Sequence, residues 1–105
     1  MYEDQVLQID SRRHRVRLRG QEVALTATEF RLLTVLVDNA GIVMSIDRLL
    51  ELVWGDRDVT VPNVRAYISS LRRKLEAGRD PDEGHLNLIQ TVPEFGYRYN
   101  PPRAC

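Results

Sequence analysis

The sequence contains one cysteine, Cys105, at the last position of the chain. A single thiol cannot form an internal disulfide, and this one has no base or metal partner beside it, so we expect Cys105 to have no function. The two histidines, His14 and His85, lie far apart without a cysteine or carboxylate at metal-ligand spacing. The sequence therefore predicts no zinc site, no other metal and no cofactor. So little cysteine is typical of a protein from the reducing cytoplasm.

Long hydrophobic runs are also missing. No apolar stretch approaches the ~20 residues that a transmembrane helix needs, and the polar, acidic N-terminus is not that of a signal peptide. A chain of 105 residues is enough for one domain, over residues 1–105, with a modest core. Its 43% of hydrophobic and 29% of charged residues are typical of a soluble globular protein rather than a disordered one. No membrane partner is expected.

An excess of charge of either sign is absent, because 15 basic residues balance 15 acidic ones. A protein that neutralises phosphates normally has a basic surface, so the neutral total argues against nucleic-acid binding if the charges are evenly spread. Their distribution is uneven. Five arginines fall between residues 12 and 19, and four cations fall between residues 65 and 74, whereas three acids gather between residues 80 and 83. One face of the folded chain can therefore be basic.

The first apolar segments have the pattern of strands. Residues 6–10 are short and apolar, and residues 15–19 alternate with period two, which places two aliphatic side chains on one face and three arginines on the other. Gly20 and its neighbour supply a turn, and residues 22–25 return as a third strand. The pattern predicts an N-terminal antiparallel sheet over about residues 6–25.

From Thr26 the apolar residues change to helical spacing. Thr26 and Glu29 form a capping box, in which the hydroxyl accepts from the amide of residue 29 and the carboxylate reaches back to the helix start. Apolar residues then recur every three or four positions until Gly41, which stops the helix. A first helix over about residues 27–40 is predicted.

Two more helices follow. Ser45 is the predicted N-cap of a second helix, over about residues 46–54, which Gly55 closes. A third helix is predicted over about residues 62–77, because Pro62 is tolerated in a first turn. It carries an apolar stripe that comprises Val64, Ile68, Leu71 and Leu75.

Two strands, residues 88–92 and 97–99, are joined by a short turn and predict a hairpin over about residues 88–99. We expect one of the alternating tyrosines, Tyr97 and Tyr99, in the core and the other along the hairpin surface. The predicted fold is therefore of the α+β class. It is a winged helix-turn-helix with an N-terminal antiparallel sheet, a three-helix core and a C-terminal β-hairpin wing.

From Leu25 onward the chain resembles the OmpR/PhoB family of response-regulator effector domains. The matching stretches are residues 25–33, 49–55, 64–75, 91–92 and 96–99. The resemblance implies sequence-specific binding of double-stranded DNA in transcription regulation. It also implies a four-stranded N-terminal sheet, a recognition helix in the major groove and a wing in the minor groove.

The third helix is the recognition helix that the resemblance implies. A helix turns by about 100° per residue, so the side opposite the apolar stripe faces outward. The candidate DNA contacts on or beside that side are Asn63, Ala66, Tyr67, Ser69, Ser70, Arg72, Arg73 and Lys74. Asn63 can pair with adenine and the Ala66 methyl can contact thymine. The alternative is that the cations are a solvated face near the helix C-terminus, where the dipole favours positive charge.

The resemblance adds contacts outside this helix and also shows departures. It implies phosphate contacts by Trp54, Thr91 and Arg98, although a tryptophan is more often a packing residue. Many family members carry arginines where this chain has Pro62, Ser69 and Ser70. The wing commonly has an arginine-glycine pair where this chain has Pro93 and Glu94. The minor-groove contact of the wing is therefore left open, and weak binding by one domain is expected.

Partners are implied only by the resemblance. A receiver domain is expected before Met1, and the isolated domain is expected to be a monomer that pairs on DNA. The loop implied to contact RNA polymerase comprises Asp56, Arg57, Asp58, Val59 and Thr60. The composition of this segment alone indicates only a loop.

Enzymatic motifs are absent: the sequence has no glycine-rich phosphate loop, nucleophile elbow or paired catalytic carboxylates with a histidine. An enzyme is therefore not predicted. Two alternatives to a response-regulator output domain stay open. One is a winged helix used for protein–protein contact, which would suit the zero net charge, and the other is the N-terminal DNA-binding part of a larger activator.

Overall fold

The computed structural model describes residues 2–4, 6–55, 63–77 and 88–101. Within them the strands that come first are β1 (Tyr2–Glu3), β2 (Leu7–Asp10), β3 (Arg15–Leu18) and β4 (Gln21–Val23). The helices are α1 (Ala27–Asp38), α2 (Ile46–Leu49), which continues as a π-helical segment (Leu50–Trp54), and α3 (Val64–Ala77). The hairpin strands are β5 (Ile89–Val92) and β6 (Gly96–Tyr99). This is the predicted winged helix-turn-helix of the α+β class.

The first four strands form one antiparallel sheet in the order β1-β2-β3-β4. Ile9 pairs with Val16, which in turn pairs with Val23, so the three side chains share one face. All three are buried in the core that the sheet shares with the helices and the hairpin. Arg15 and Arg17 lie on the opposite face and are exposed, as the period-two pattern predicts.

The three strands predicted from the residues alone are one too few, because β1 precedes them. Tyr2 pairs with Ile9, and the hydroxyls of Tyr2 and Tyr99 both donate to Oδ2 of Asp4, over 2.8 and 2.5 Å. Oδ1 of Asp4 accepts from the Val6 amide at 2.9 Å. Asp4 and Tyr99 are 95 positions apart, so this attachment of the N-terminus to β6 has no local sequence signal.

The capping box of α1 is present. The Glu29 amide donates to Thr26 Oγ1 (3.2 Å), and the Thr26 amide donates to Glu29 Oε1 (2.9 Å). The helix ends at Asp38 rather than near residue 40. Its predicted end is two residues late because the following segment bonds to the hairpin instead, with the Gly41 amide donating to the Tyr99 carbonyl (2.9 Å).

The second and third helices are also capped by polar side chains. Ser45 Oγ accepts from the Arg48 amide (3.0 Å), as predicted, and Gly55 ends the helix with a φ of +68°. In α3, however, Asn63 is the cap. Its Oδ1 accepts from the Ala66 amide (3.2 Å), so the helix begins at Val64 instead of residue 62. Residues 61 and 62 lie outside the described part.

The apolar stripe of α3 is buried as predicted: Val64, Ile68, Leu71 and Leu75 are all at most 4% exposed. Tyr97 and Tyr99 of β6 are both buried. The expectation that only one of them enters the core is wrong, because residues two apart on a strand lie on the same face, and this face of β6 is turned toward the core. The backbone of Tyr97 also pairs with the segment before α2. The Met44 amide donates to the Tyr97 carbonyl (2.7 Å), and the Tyr97 amide donates to the Met44 carbonyl (3.0 Å).

None of the helices in the described ranges has the length and hydropathy that crossing a bilayer requires.

Candidate nucleic-acid interface

The side of α3 opposite its apolar stripe is exposed. It presents Ala66, Ser69 and Arg73, which are separated by three or four residues and therefore lie on one side of the helix. Ala66 and Ser69 are small, so another surface can come close to the helix backbone. The exposure of these three residues agrees with their predicted place on the outward side of the helix.

A groove of about 690 Å³ runs along one flank of α3. Arg65, Ser69 and Arg72 lie at positions i, i+4 and i+7 and form its helical wall. The remaining walls come from the first residues of the α2 region (Ser45, Ile46 and Asp47) and from the hairpin (residues 91–97). We call this space the wing groove. Its cations belong to α3, while Asp47 and Glu94 bring negative charge to the facing walls.

Arg72 connects α3 to the hairpin. Its Nε donates to the Ile89 carbonyl (3.1 Å), its Nη2 donates to Thr91 Oγ1 (2.6 Å), and its guanidinium lies over the Tyr97 ring, 5.7 Å from the centroid. Arg72 thus lies on the shoulder of the outward face, as predicted. Its donors are directed at the wing, and Thr91, another predicted contact, is its partner.

The other flank of α3 meets the N-terminus of α1 at a buried carboxylate. Ser70 Oγ donates to Glu29 Oε2 (2.5 Å), and Lys74 Nζ donates to Glu29 Oε1 (2.6 Å), which also accepts from the Thr26 amide. We call these four residues the Glu29 cluster. Ser70 is half-buried, which differs from the outward position expected for it.

Glu29 is ionised at neutral pH in this setting. It is only 3% exposed. Burial alone would raise its pKa, but hydrogen bonds from Lys74, Ser70 and Thr26 outweigh the burial and lower the pKa to about 2. The carboxylate therefore holds two side chains of α3 through charge-assisted hydrogen bonds.

Three further predicted contacts have structural partners. Asn63 is exposed, but its Oδ1 accepts from the Ala66 amide. A bidentate contact with adenine needs that same oxygen. Trp54 and Tyr67 are half-buried and pack edge to face, with ring centroids 5.1 Å apart. Tyr67 thereby lies against the end of the second helix.

The two predicted wing contacts lie on opposite faces of the hairpin. Thr91 pairs with Tyr97 on the face toward α3, whereas Arg98 pairs with Gln90 on the other face. Arg98 Nη2 donates to Gln90 Oε1 (2.6 Å). The structure therefore brings Thr91 into the wing groove and leaves Arg98 outside it.

The tip of the wing is a tight turn. The Phe95 amide donates to the Val92 carbonyl (3.0 Å), with Pro93 and Glu94 between them. Glu94 has a φ of +71°, the conformation that a type II turn requires after proline and that glycine normally provides. Phe95 is 69% exposed. The tip therefore presents a carboxylate and an aromatic ring where the resemblance implies an arginine.

The predicted polymerase-contact loop, residues 56–60, and Pro62 lie outside the described residues. Two residues were missed. Arg65 lines the wing groove, and its spacing from Ser69 and Arg72 is the signal that would have found it. Glu29 was recognised only as a cap, since its bonds to Ser70 and Lys74 span 41 and 45 positions.

Known proteins resemble this chain in both sequence and fold. Residues 20–99 match the family described as "Transcriptional regulatory protein, C terminal". The chain is 42% identical over 92 residues to transcriptional regulatory protein PrrA of Mycobacterium tuberculosis, covering 87% of this chain and 37% of PrrA. It is 39% identical over 92 residues to the phosphate regulon regulator PhoB of Rhizobium meliloti, covering 87% of this chain and 38% of PhoB.

The chain thus spans less than two-fifths of the length of these curated relatives. Among solved structures, the RstA DNA-binding domain of Klebsiella pneumoniae, in complex with the RstA box, superposes with a TM-score of 0.79. The two sequences are 33% identical, and the match covers 96% of this chain and 97% of that one. The chain therefore belongs to the C-terminal family of transcriptional regulatory proteins, the OmpR/PhoB-type winged-helix DNA-binding domains of response regulators.

Proposed function

We propose that this domain binds double-stranded DNA sequence-specifically, as the output domain of a cytoplasmic response regulator. The observation that carries the proposal is the outward face of α3, where Ala66, Ser69 and Arg73 are exposed beside a groove walled by a wing. The major groove of DNA admits one α-helix, and small side chains allow it to enter deeply.

The positions around α3 divide the proposed contacts into two kinds. Ser69 and Arg73 point outward and can reach base edges, while the Ala66 methyl can contact thymine. Arg65 and Arg72 lie on the flank, where a helix in the major groove meets the phosphates. These two arginines supply the positive charge that phosphate contacts need, even though the net charge of the whole chain is zero.

The wing is proposed to make the weaker contact. Thr91 lies in the groove beside Arg72, while Glu94 at the tip repels phosphates. Trp54 and Arg98 are further phosphate contacts on the strength of the resemblance alone. Low affinity for one domain is the consequence, and pairing of two domains on DNA would compensate for it.

The proposed setting is a longer protein. The relatives named above are more than twice as long as the match, which supports a receiver domain that precedes this one. The isolated domain is proposed to be a monomer, and residues 56–60 are proposed to contact RNA polymerase. Sedimentation of the 12.1 kDa chain without DNA tests whether the isolated domain is a monomer. A tight dimer would contradict that proposal.

The decisive experiment is selection of bound sequences from a random DNA pool, followed by titrations at several salt concentrations. Arg72→Ala should weaken binding to selected and scrambled DNA alike and flatten the salt slope by about one unit. Ser69→Ala should change the preference among related sites, by about 1–3 kcal/mol where a base contact is lost. If Arg72→Ala lost its preference among DNA sequences and kept the wild-type salt slope, Arg72 would be a base contact and not a phosphate contact.

A domain for protein–protein contact is the second candidate. The carboxylate of Glu94 and the exposed ring of Phe95 at the wing tip favour it, since both are unsuited to a phosphate backbone. Failure of the random-pool selection, together with salt-independent binding to DNA, would support this function over the first.

A further inference from the structure

The Glu29 cluster has the geometry of a rotational lock for α3. Ser70 and Lys74 are one turn apart on the same flank, and each donates to a different oxygen of the Glu29 carboxylate, over 2.5 and 2.6 Å. The buried apolar stripe sets the approximate rotation of α3. Two hydrogen bonds on one flank, to a residue that the capping box of α1 fixes, restrict the remaining roll of the helix about its axis.

The buried charge makes this lock stiff. Glu29 is 3% exposed, and a buried carboxylate requires partners because water cannot replace them. If α3 rolled away, Glu29 would lose both donors at once. The bond between Lys74 and Glu29 also compensates the charge of the ammonium, so a DNA phosphate would have to compete with a closer carboxylate.

We propose that Glu29 is a positioning residue for DNA recognition, through which Ser70 and Lys74 act without touching DNA themselves. This rests on the proposed function of α3. The cluster fixes the rotation that presents Ala66, Ser69 and Arg73, and Arg72 holds the opposite flank to the wing. It replaces the expectation that Ser70 and Lys74 are direct contacts.

A small rotation of α3 about its own axis is enough to disturb contacts with base edges. Side-chain atoms lie about 5–6 Å from the helix axis, so a roll of about 10° displaces them by about 1 Å. A displacement of that size takes a hydrogen bond to a base edge outside its normal range of about 2.7–3.2 Å. Phosphate contacts, which depend mainly on charge, tolerate it better. Loosening the cluster should therefore reduce specificity before it reduces general affinity.

The test compares Lys74→Met, Ser70→Ala and Glu29→Gln in titrations against the selected site and scrambled DNA at several salt concentrations. Each variant should lower the ratio of the two affinities, by about tenfold for Lys74→Met, and leave the salt slope unchanged. The double variant Glu29→Gln, Lys74→Met should lose little more than either single one, because both break the same contact. The matched variant Arg65→Met, on the flank proposed to meet the phosphates, should flatten the salt slope by about one unit.

Two results of these titrations would overturn the proposal. One is a Lys74→Met variant with a flatter slope and an unchanged ratio, which would make Lys74 a direct phosphate contact. The other is an unchanged ratio and slope in all three variants, which would leave the cluster a purely stabilising one. Arg31→Met, which removes an exposed charge from α1, controls for net charge.

A readout without DNA keeps this inference separate from the proposed function. Residual dipolar couplings of the α3 amides report the orientation of the helix in the free protein. They should change in Lys74→Met and Ser70→Ala and stay as in the wild type in Arg31→Met. If the wild type binds no DNA, the proposed function fails. Unchanged couplings in folded Lys74→Met would refute the lock itself. If Glu29→Gln does not fold, Ser70→Ala, which loses one half-buried hydroxyl, still provides both readouts.

Discussion

The recognition helix and the wing flank the same groove but are held in different ways. α3 is fixed on three sides: its apolar stripe is buried, Glu29 holds one flank and Arg72 holds the other. The wing is fixed at the start of β6 by backbone bonds between Tyr97 and Met44, while its tip carries a strained Glu94 and an exposed Phe95. The difference indicates that recognition resides in the preorganised helix, and that the wing contributes position more than affinity.

The start of β6, where the wing meets Met44, should be the most sensitive point of this comparison. Gly96 has a φ of +148°, and an added Cβ would lie 2.0 Å from the Met44 carbonyl oxygen. Gly96→Ala must therefore push the hairpin off the segment before α2. We expect a loss of about 4 kcal/mol or more in the free energy of unfolding, measured by chemical denaturation.

Gly20→Ala is the matched control. Gly20 also has a positive φ, +83°, but nothing lies within 4 Å of the added Cβ. Only the backbone strain remains, so the expected loss is about 1–2 kcal/mol. Equal losses in the two variants would mean that the contact between Gly96 and Met44 is not what anchors the wing.

The next largest loss in the free energy of unfolding is expected on the buried side of α3. Leu71 is fully buried at the centre of the apolar stripe, so Leu71→Ala should cost roughly 2–5 kcal/mol through lost burial and a cavity. Ser69→Ala, on the exposed side, should cost less than about 0.5 kcal/mol. If chemical denaturation gave similar losses for the two variants, the assignment of Leu71 to the buried side of α3 and Ser69 to the exposed side would be wrong.

The same contrast explains how much of the fold could be predicted from the sequence. The capping box at Thr26, the cap at Ser45 and the stripe through Leu71 are local patterns, and each is present in the structure. What local patterns could not show depends on contacts across the chain. β1 depends on the bonds from Tyr2 and Tyr99 to Asp4, and the early end of α1 depends on pairing with the hairpin.

The candidate site was predicted less completely for a related reason. Helical spacing correctly assigns Ala66, Ser69 and Arg73 to one exposed side. It gives no information on which outward or flanking side chain has a partner on another element. Ser70 bonds to Glu29 and Arg72 bonds to β5, and neither partner is near in the sequence.

The attachment of α3 to Glu29 should depend on pH. The pKa of Glu29 is lowered from 4.5 to about 2 in the folded chain, so its contribution is complete above about pH 4.5 and is lost as the pH falls through about 2. The wild type should lose about 2–3 kcal/mol relative to Glu29→Gln between pH 7 and pH 2, in denaturation curves at each pH. A pH profile of Glu29→Gln that runs parallel to that of the wild type would contradict the prediction.

The smallest expected effect is at the tip of the wing, and here the change should be a gain. Glu94 holds a φ of +71°, so Glu94→Gly should raise the free energy of unfolding by about 0.5–1 kcal/mol through relief of strain. Glu94→Gln keeps the strain and removes only the charge. Both variants should bind DNA more tightly than the wild type, by about two- to fivefold at low salt, because a carboxylate near phosphates is lost. Thermal unfolding separates the strain from the charge, since only Glu94→Gly should be stabilised. If Glu94→Gln binds DNA no better than the wild type, the tip does not approach the phosphates, and recognition rests on α3 and its flanks alone.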